Sequence, residues 1–310
     1  MTGILLMSYG AAQNRDDLLR YYTHIRHGNP PTAEQLRDLT NRYDAIGGQS
    51  PLTAITKRQA EGLQALLDAQ EPGKFRVFLG LKHSPPFIAD GVAAMTQEHM
   101  DHFVALVLAP HYSAMSVGDY FGDVATALQS QESSLRWTGI KSWHLEPGLI
   151  KLLATRVASA RARFSGLEAE DLVVVFTAHS LPQRILREGD PYPSQLRETG
   201  EMVAEQAGIT RYVYSWQSAG RTREPWMGPD ILETVAALHE EGLNHVLICP
   251  VGFVSDHLEV LYDLDVQCQN LAGRLGVHME RTASFNDDPA FLQVLSALVR
   301  RPLQQTEWKI

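Results

Sequence analysis

Two side chains able to do chemistry stand at the ends of apolar runs. His179 closes Val173-Val-Val-Phe-Thr-Ala-His179-Ser180-Leu181-Pro182, and Glu259 lies within Pro250-Val-Gly-Phe-Val-Ser-Asp-His-Leu-Glu259-Val-Leu-Tyr-Asp263, at the expected start of a helix. Open α/β sheets hold their ligands beyond the carboxyl ends of the strands. A neutral imidazole and a carboxylate there suit a divalent transition metal while leaving coordination positions open. Both also accept protons near neutral pH. An isolated strand-end histidine is more often a structural residue with satisfied ring nitrogens, so residue type alone leaves both roles open. Glu259 and Asp263, four apart on a helical pattern, share a face. Asp263 alone also fits a solvated helix position.

The elements that would position these groups recur in order. Val-, Ile-, Leu- and Phe-rich segments over 3–8, 75–80, 103–108, 135–142, 172–177, 211–216, 245–250 and 277–280 alternate with helical patterns. Such alternation predicts parallel βαβ units. The spacing of the strands repeats between the halves, and Leu106-Val-Leu-Ala-Pro110 echoes Leu247-Ile-Cys-Pro250. A duplicated four-strand unit is therefore expected, with domains at 1–150 and 151–310 and a helix over 146–164 bridging them, leaving through 165–170. Tyr9, just past the first strand, then corresponds to His179. Sheets placed mouth to mouth would aim both into one cleft, a geometry that suits a flat ligand.

The first half carries an insertion, at about residues 15–58, between its first and second strands. Residues 1–58 hold seven Lys or Arg against five acids, a local +2 in a chain whose net charge is -9. Arginine forks and a serine hydroxyl suit carboxylates, although a solvated face with ion pairs would have the same composition. The turn Gly47-Gly48-Gln-Ser50-Pro51 offers two glycines and close backbone approach.

Composition excludes several classes. The acidic balance argues against nucleic acid as a general partner. Cys249 and Cys268 are the only cysteines and lack CxxC spacing, so no disulfide framework, structural zinc site or iron–sulfur cluster is expected. The initial apolar run is expected to be a strand rather than a signal peptide. No stretch approaches the roughly 20 apolar residues of a membrane span, and a cytoplasmic protein is the expectation.

Longer motifs add a resemblance. Met7-Ser-Tyr9-Gly, Tyr21-Tyr-Thr-His-Ile-Arg26-His-Gly, Arg42-Tyr-Asp-Ala-Ile-Gly-Gly-Gln-Ser-Pro-Leu, Gly80-Leu-Lys-His83, Ala109-Pro-His-Tyr-Ser, Ala178-His179-Ser-Leu-Pro, Gly189-Asp-Pro-Tyr-Pro, Trp216-Gln-Ser and the run through Glu259 to Asp263 span nearly the whole chain. They closely resemble the ferrochelatases, and among them the soluble coproporphyrin ferrochelatases of Gram-positive-type bacteria. The resemblance implies the chelatase fold: α/β, with two similar Rossmann-like domains, each a four-stranded parallel sheet flanked by helices, and a porphyrin cleft between them. It implies insertion of ferrous iron into coproporphyrin III to form coproheme. His179 and Glu259 would accept iron and assist loss of the pyrrole protons. Tyr9 would contact the metal from the opposite face, while Arg26, Arg42, Tyr43, Ser50 and Tyr120 would hold propionates. Asp263 would continue an outer metal path. Gln267 stands where relatives often carry glutamate, with Asp265 nearby, and His27 stands where a second arginine can occur.

Fe2+ would be a substrate, with no tightly bound cofactor. The partners implied are coproporphyrin III, Fe2+ and, transiently, a coproheme decarboxylase, and a monomer is expected. Trp216, Trp226 and Tyr112 fit either an apolar wall or the core. Three alternatives stand beside this one: a chelatase for protoporphyrin IX or for cobalt or nickel tetrapyrroles, a porphyrin carrier, and a zinc hydrolase. Glu259 argues against simple carriage. Neither HExxH nor GxSxG occurs to support a hydrolase.

Overall fold

The protein is described from a computed structural model, covering residues 1–304 except 165, 168–170 and 221, with side chains through 301. Eight strands form two four-stranded parallel sheets. The first contains β1 (Thr2–Ser8), β2 (Phe75–Leu81), β3 (His102–Val107) and β4 (Arg136–Ile140) in the order β2-β1-β3-β4. The second contains β5 (Leu172–His179), β6 (Tyr212–Gln217), β7 (His245–Cys249) and β8 (His278–Arg281) in the order β6-β5-β7-β8. The identical order bears out the expected duplication. All eight expected strands are present, with small shifts at their ends.

Strand composition explains strand position. Central strands of a parallel sheet are covered on both faces and become continuous apolar runs. β1 is buried along its whole length, and β5 everywhere except His179. The edge strands β4 and β8 alternate or are half-exposed. Among the described residues there are eleven α-helices, α1 (Leu18–Ile25), α2 (Ala33–Ala45), α3 (Leu52–Gln70), α4 (Ile88–Gln97), α5 (Val117–Ser130), α6 (Pro147–Arg161), α7 (Arg184–Arg187), α8 (Tyr192–Ala207), α9 (Ile231–Glu240), α10 (Gln269–Leu275) and α11 (Pro289–Gln304), and a short 3-10 helix, Arg15–Asp17, ahead of α1. A π-helical segment, Val260–Cys268, runs directly into α10.

The chain divides into two compact units: unit 1 comprises Met1–Trp143 and Phe285–Ile310, and unit 2 comprises His144–Ser284. This corrects the expected boundary in two respects. The C-terminal helix α11 returns to unit 1, where it packs on α3, β3 and β4. Phe291 at its start stacks 5.0 Å from Phe285, and Arg58 of α3 grips Asp287 just ahead of it at 2.8 and 3.1 Å. Helix α6, expected as a bridge, lies inside unit 2 against α8 and β7. Positions 165 and 168–170 of its expected exit lie outside the described residues.

The insertion between β1 and β2 is α1 and α2, preceding the crossover helix α3. α2 starts with a capping box: Gln35 N–H donates to Thr32 Oγ1 at 3.2 Å, and Thr32 N–H to Gln35 Oε1 at 2.9 Å. Gly47 and Gly48 after it have φ of 95° and 88°, with open space where a Cβ would sit. Glycine is thus required here by the left-handed backbone rather than by close approach.

Candidate active site

His179 is the last residue of β5 and pairs with Gln217 of β6. The turn after it is fixed: Ser180 N–H donates to the Gln217 carbonyl at 2.8 Å, and Ser180 Oγ to the Met227 carbonyl at 2.8 Å. Tyr192 Oη donates to the His179 carbonyl at 3.0 Å. The imidazole therefore leaves a rigid strand end, 6.3 Å between ring centroids from Trp226.

Glu259 reaches it through one tight contact. Gly252, in the loop after β7, donates its N–H to the Thr177 carbonyl at 3.1 Å. A Cβ at 252 would lie 2.5 Å from the Ala178 Cβ, so only glycine lets this loop lie on β5. Buried Gln217 accepts from Thr177 Oγ1 at 3.0 Å, and its amide faces the Glu259 carbonyl at 3.5 Å. His179 Nε2 then stands 3.5 Å from Glu259 Oε1, with both side chains about one-third exposed, at 33% and 32%. Partial exposure leaves the pair open to an incoming ion.

A second histidine, which the sequence reading passed over, completes the arrangement. His257 Nε2 is 3.5 Å from the other carboxylate oxygen, Glu259 Oε2. The spacing His257-Leu-Glu259 was its only signal, and a two-residue separation says little until the loop geometry is known. His179 Nδ1 donates to the Ser180 carbonyl, and His257 Nδ1 donates to the Ser255 carbonyl at 3.0 Å. Carbonyls only accept, so each ring carries its proton on Nδ1 and turns Nε2 toward Glu259. That bond fixes the tautomer that offers Nε2 to a metal or a proton.

Electrostatics follow from this geometry. Burial alone would lower the His179 pKa, but the charge and hydrogen bond of Glu259 outweigh it and raise it to about 9. Burial would raise the Glu259 carboxyl; His179 and then His257 hold it well below the usual carboxylate range instead. A proton and a metal ion therefore compete for one lone pair on His179. The arrangement can take a divalent ion while giving up a proton, or accept a proton from a bound acid.

Asp263 is buried and accepts from Ser218 Oγ. It lies in the π-helical segment, not the α-helix its spacing suggested. Val260, Leu264, Cys268 and Ala272 are all buried, a strict four-residue repeat. On a 3.6-residue turn this repeat drifts roughly 40° per step, whereas the wider π turn compensates. Such turns are uncommon and concentrate at functional sites. Asp265 is held by the Arg281 guanidinium at 2.6 and 2.8 Å.

The other expected residues lie in unit 1. Tyr9, just past β1, is 42% exposed with its ring 4.4 Å from that of His83. His83 Nδ1 and His24 Nδ1 are 2.9 Å apart, so one ring must donate and the other accept. Burial, then electrostatic interaction with His24, Lys82 and His27, push His83 down to about 3. Arg26 donates to the Asn29 carbonyl at 3.2 Å and lies over Tyr22, while Arg42 is half-buried near the end of α2. Tyr43, Ser50 and Tyr120 are buried. The Lys82 ammonium sits 5.0 Å from the Tyr120 ring centroid. Among the seven basic residues of the first segment, Arg15, Arg20 and Arg58 are committed to Asp44, Asp17 and Asp287. Trp216 is buried against Tyr192 and belongs to the core.

Solved structures define the class of fold. SirB from Bacillus subtilis with Fe3+ is similar over 100% of both chains, with a TM-score of 0.58 at 14% identity. A sirohydrochlorin chelatase SirB from Bacillus subtilis subspecies spizizenii, in complex with cobalt, gives 0.57 at 12%, again over 100% of both chains. At such identities the likeness shows a shared chelatase fold. Sequence comparison is more specific: the ferrochelatase family model matches residues 1–303, and this chain belongs to the ferrochelatase family. The coproporphyrin III ferrochelatase of Anoxybacillus flavithermus is 45% identical over 98% of this chain and 96% of its own length. That of Geobacillus thermodenitrificans is 43% identical over 97% and 96%. A ferrochelatase of Herpetosiphon aurantiacus is 42% identical over 96% and 98%.

Proposed function

We propose that this chain inserts ferrous iron into coproporphyrin III to form coproheme. The observation that carries this is the pair His179–Glu259, fixed at the end of β5 and partly open, in a chain whose relatives at 43–45% identity are named coproporphyrin III ferrochelatases. Fe2+ is a substrate, and no tightly bound cofactor takes part. Two pyrrole protons must leave as the metal enters. His179 and Glu259 accept them in turn and, each about one-third exposed, pass them on to solvent. Tyr9 supplies a further metal contact. Arg26 and Arg42 pair with propionates, supported by Tyr43, Ser50 and Tyr120. Binding energy from these anchors, remote from the reacting nitrogens, can be used to distort the macrocycle. Asp263 provides a carboxylate beyond Glu259 on the metal's route. The enzyme acts as a cytoplasmic monomer and hands its product to a coproheme decarboxylase in a transient contact. Among the described residues no helix is long and apolar enough to cross a membrane.

The test is iron insertion measured with coproporphyrin III and with protoporphyrin IX, for the wild type and for His179→Ala. Wild type should favour coproporphyrin III, and His179→Ala should bind it without inserting iron. Equal or better turnover of protoporphyrin IX would overturn the substrate assignment, and normal insertion by His179→Ala would overturn the role of His179.

A further inference from the structure

Arg281, the last residue of β8, makes a fork that the proposed reaction does not use. Its Nε and Nη2 donate to the two oxygens of Asp265 at 2.6 and 2.8 Å. The same Nη2 donates to Asp256 Oδ1 at 3.2 Å, and Nη1 to the Thr282 carbonyl at 3.1 Å. Ser284 Oγ adds a bond to Asp256 at 2.8 Å. The strand end is braced in turn, because Arg163 donates to the Arg281 carbonyl at 2.8 Å and pairs with Glu280 at 2.8 Å. Arg281 is only 17% exposed.

What matters is where the two carboxylates lie. Asp256 belongs to the loop before Glu259, and Asp265 to the π-helical segment after it. One guanidinium thus ties both flanks of Glu259 to the sheet. Without the fork, two carboxylates gathered on one centre would repel each other, and the loop and the π turn would part. Lysine could neutralise them but lacks the planar geometry that bonds both at once. The fork also occupies both oxygens of Asp265.

We propose that Arg281 is a positioning residue for iron capture, holding Glu259 at its distance from His179 by bridging Asp256 and Asp265. This rests on the proposed function, so wild-type iron insertion is established first; its absence with every tetrapyrrole would defeat that function rather than Arg281. Arg281→Lys and Arg281→Met are then assayed for coproporphyrin III affinity by fluorescence quenching, for thermal unfolding, and for kcat and KM toward Fe2+. Both should bind the porphyrin as wild type does, while kcat/KM for Fe2+ falls about 10- to 100-fold, as for other groups that orient metal ligands. Lysine should restore stability more than it restores iron capture. Unchanged kcat/KM in folded Arg281→Lys would overturn the proposal. So would a loss of porphyrin affinity and iron insertion in equal proportion, the mark of a merely structural role. Should neither variant fold, Asp256→Ala removes the acceptor of one arm and must raise KM for Fe2+; wild-type kinetics there would overturn the proposal equally.

Discussion

Replacing Gly252 by alanine tests how the site is assembled without touching any reactive group. The added Cβ would lie 2.5 Å from the Ala178 Cβ and 2.8 Å from its Cα, against an ordinary contact of 3.4–4 Å. The loop must therefore retreat from β5 by about 0.9 Å to reach the lower limit of that range. Both neighbours are buried main chain or Cβ, with no flexible side chain to swing aside. Overpacking of this kind costs about 1–3 kcal/mol, and the Gly252 N–H bond to Thr177, at 3.1 Å, stretches with it. The displacement is passed seven residues on to Glu259, whose partner His179 stays fixed at the strand end. A shift of about 1 Å in a catalytic group can cost on the order of a hundredfold in rate. Thermal unfolding and steady-state iron insertion measure the two effects. Gly252→Ala should lose about 1–3 kcal/mol of stability and at least tenfold in kcat/KM for Fe2+, at unchanged porphyrin affinity. Wild-type kinetics in this variant would refute the claim that the contact between loop and strand sets the His179–Glu259 distance.

Two pH predictions follow from the histidines. In Glu259→Gln, the His179 titration followed by NMR should fall from about 9 toward the free imidazole value of about 6.5, because burial is then opposed only by the Ser180 carbonyl and the charge of Asp263. A raised imidazole pKa stabilises the fold fully below about pH 6.5 and ceases to do so as pH rises through about 9; the stability gap between wild type and Glu259→Gln should close over that window. An unmoved His179 titration would refute the coupling. His83 has the opposite sign. Its folded pKa, about 3, lies below the unfolded value, so the unfolded state binds more protons between these limits and stability falls as pH drops. From pH 6.5 to 5 the loss should be about 2 kcal/mol, and His83→Asn should abolish that share of the slope in denaturant titrations; an identical slope would show that His83 titrates normally.

Much of this architecture was legible because parallel sheets write themselves into sequence. β1 and β5 are apolar throughout since both faces are covered, and the repeated spacing disclosed the duplication. His179 and Glu259 stood out because each follows such a strand. The return of α11 to unit 1 was not legible: an amphipathic helix states that it needs a surface, not which one. The π turn was hidden because buried positions four apart, such as 260, 264 and 268, are common to α and π helices. His257 was missed because residues two apart on a helix do not face each other, and only the irregular loop before Glu259 brings that ring to its carboxylate. Sequence alone determined the strands, the repeat and the kinds of chemistry available, since those depend on local pattern and residue type. Tertiary structure alone decided which nitrogen meets which oxygen, because a Gly252 contact on Ala178 and a fork from Arg281 join segments far apart in the chain.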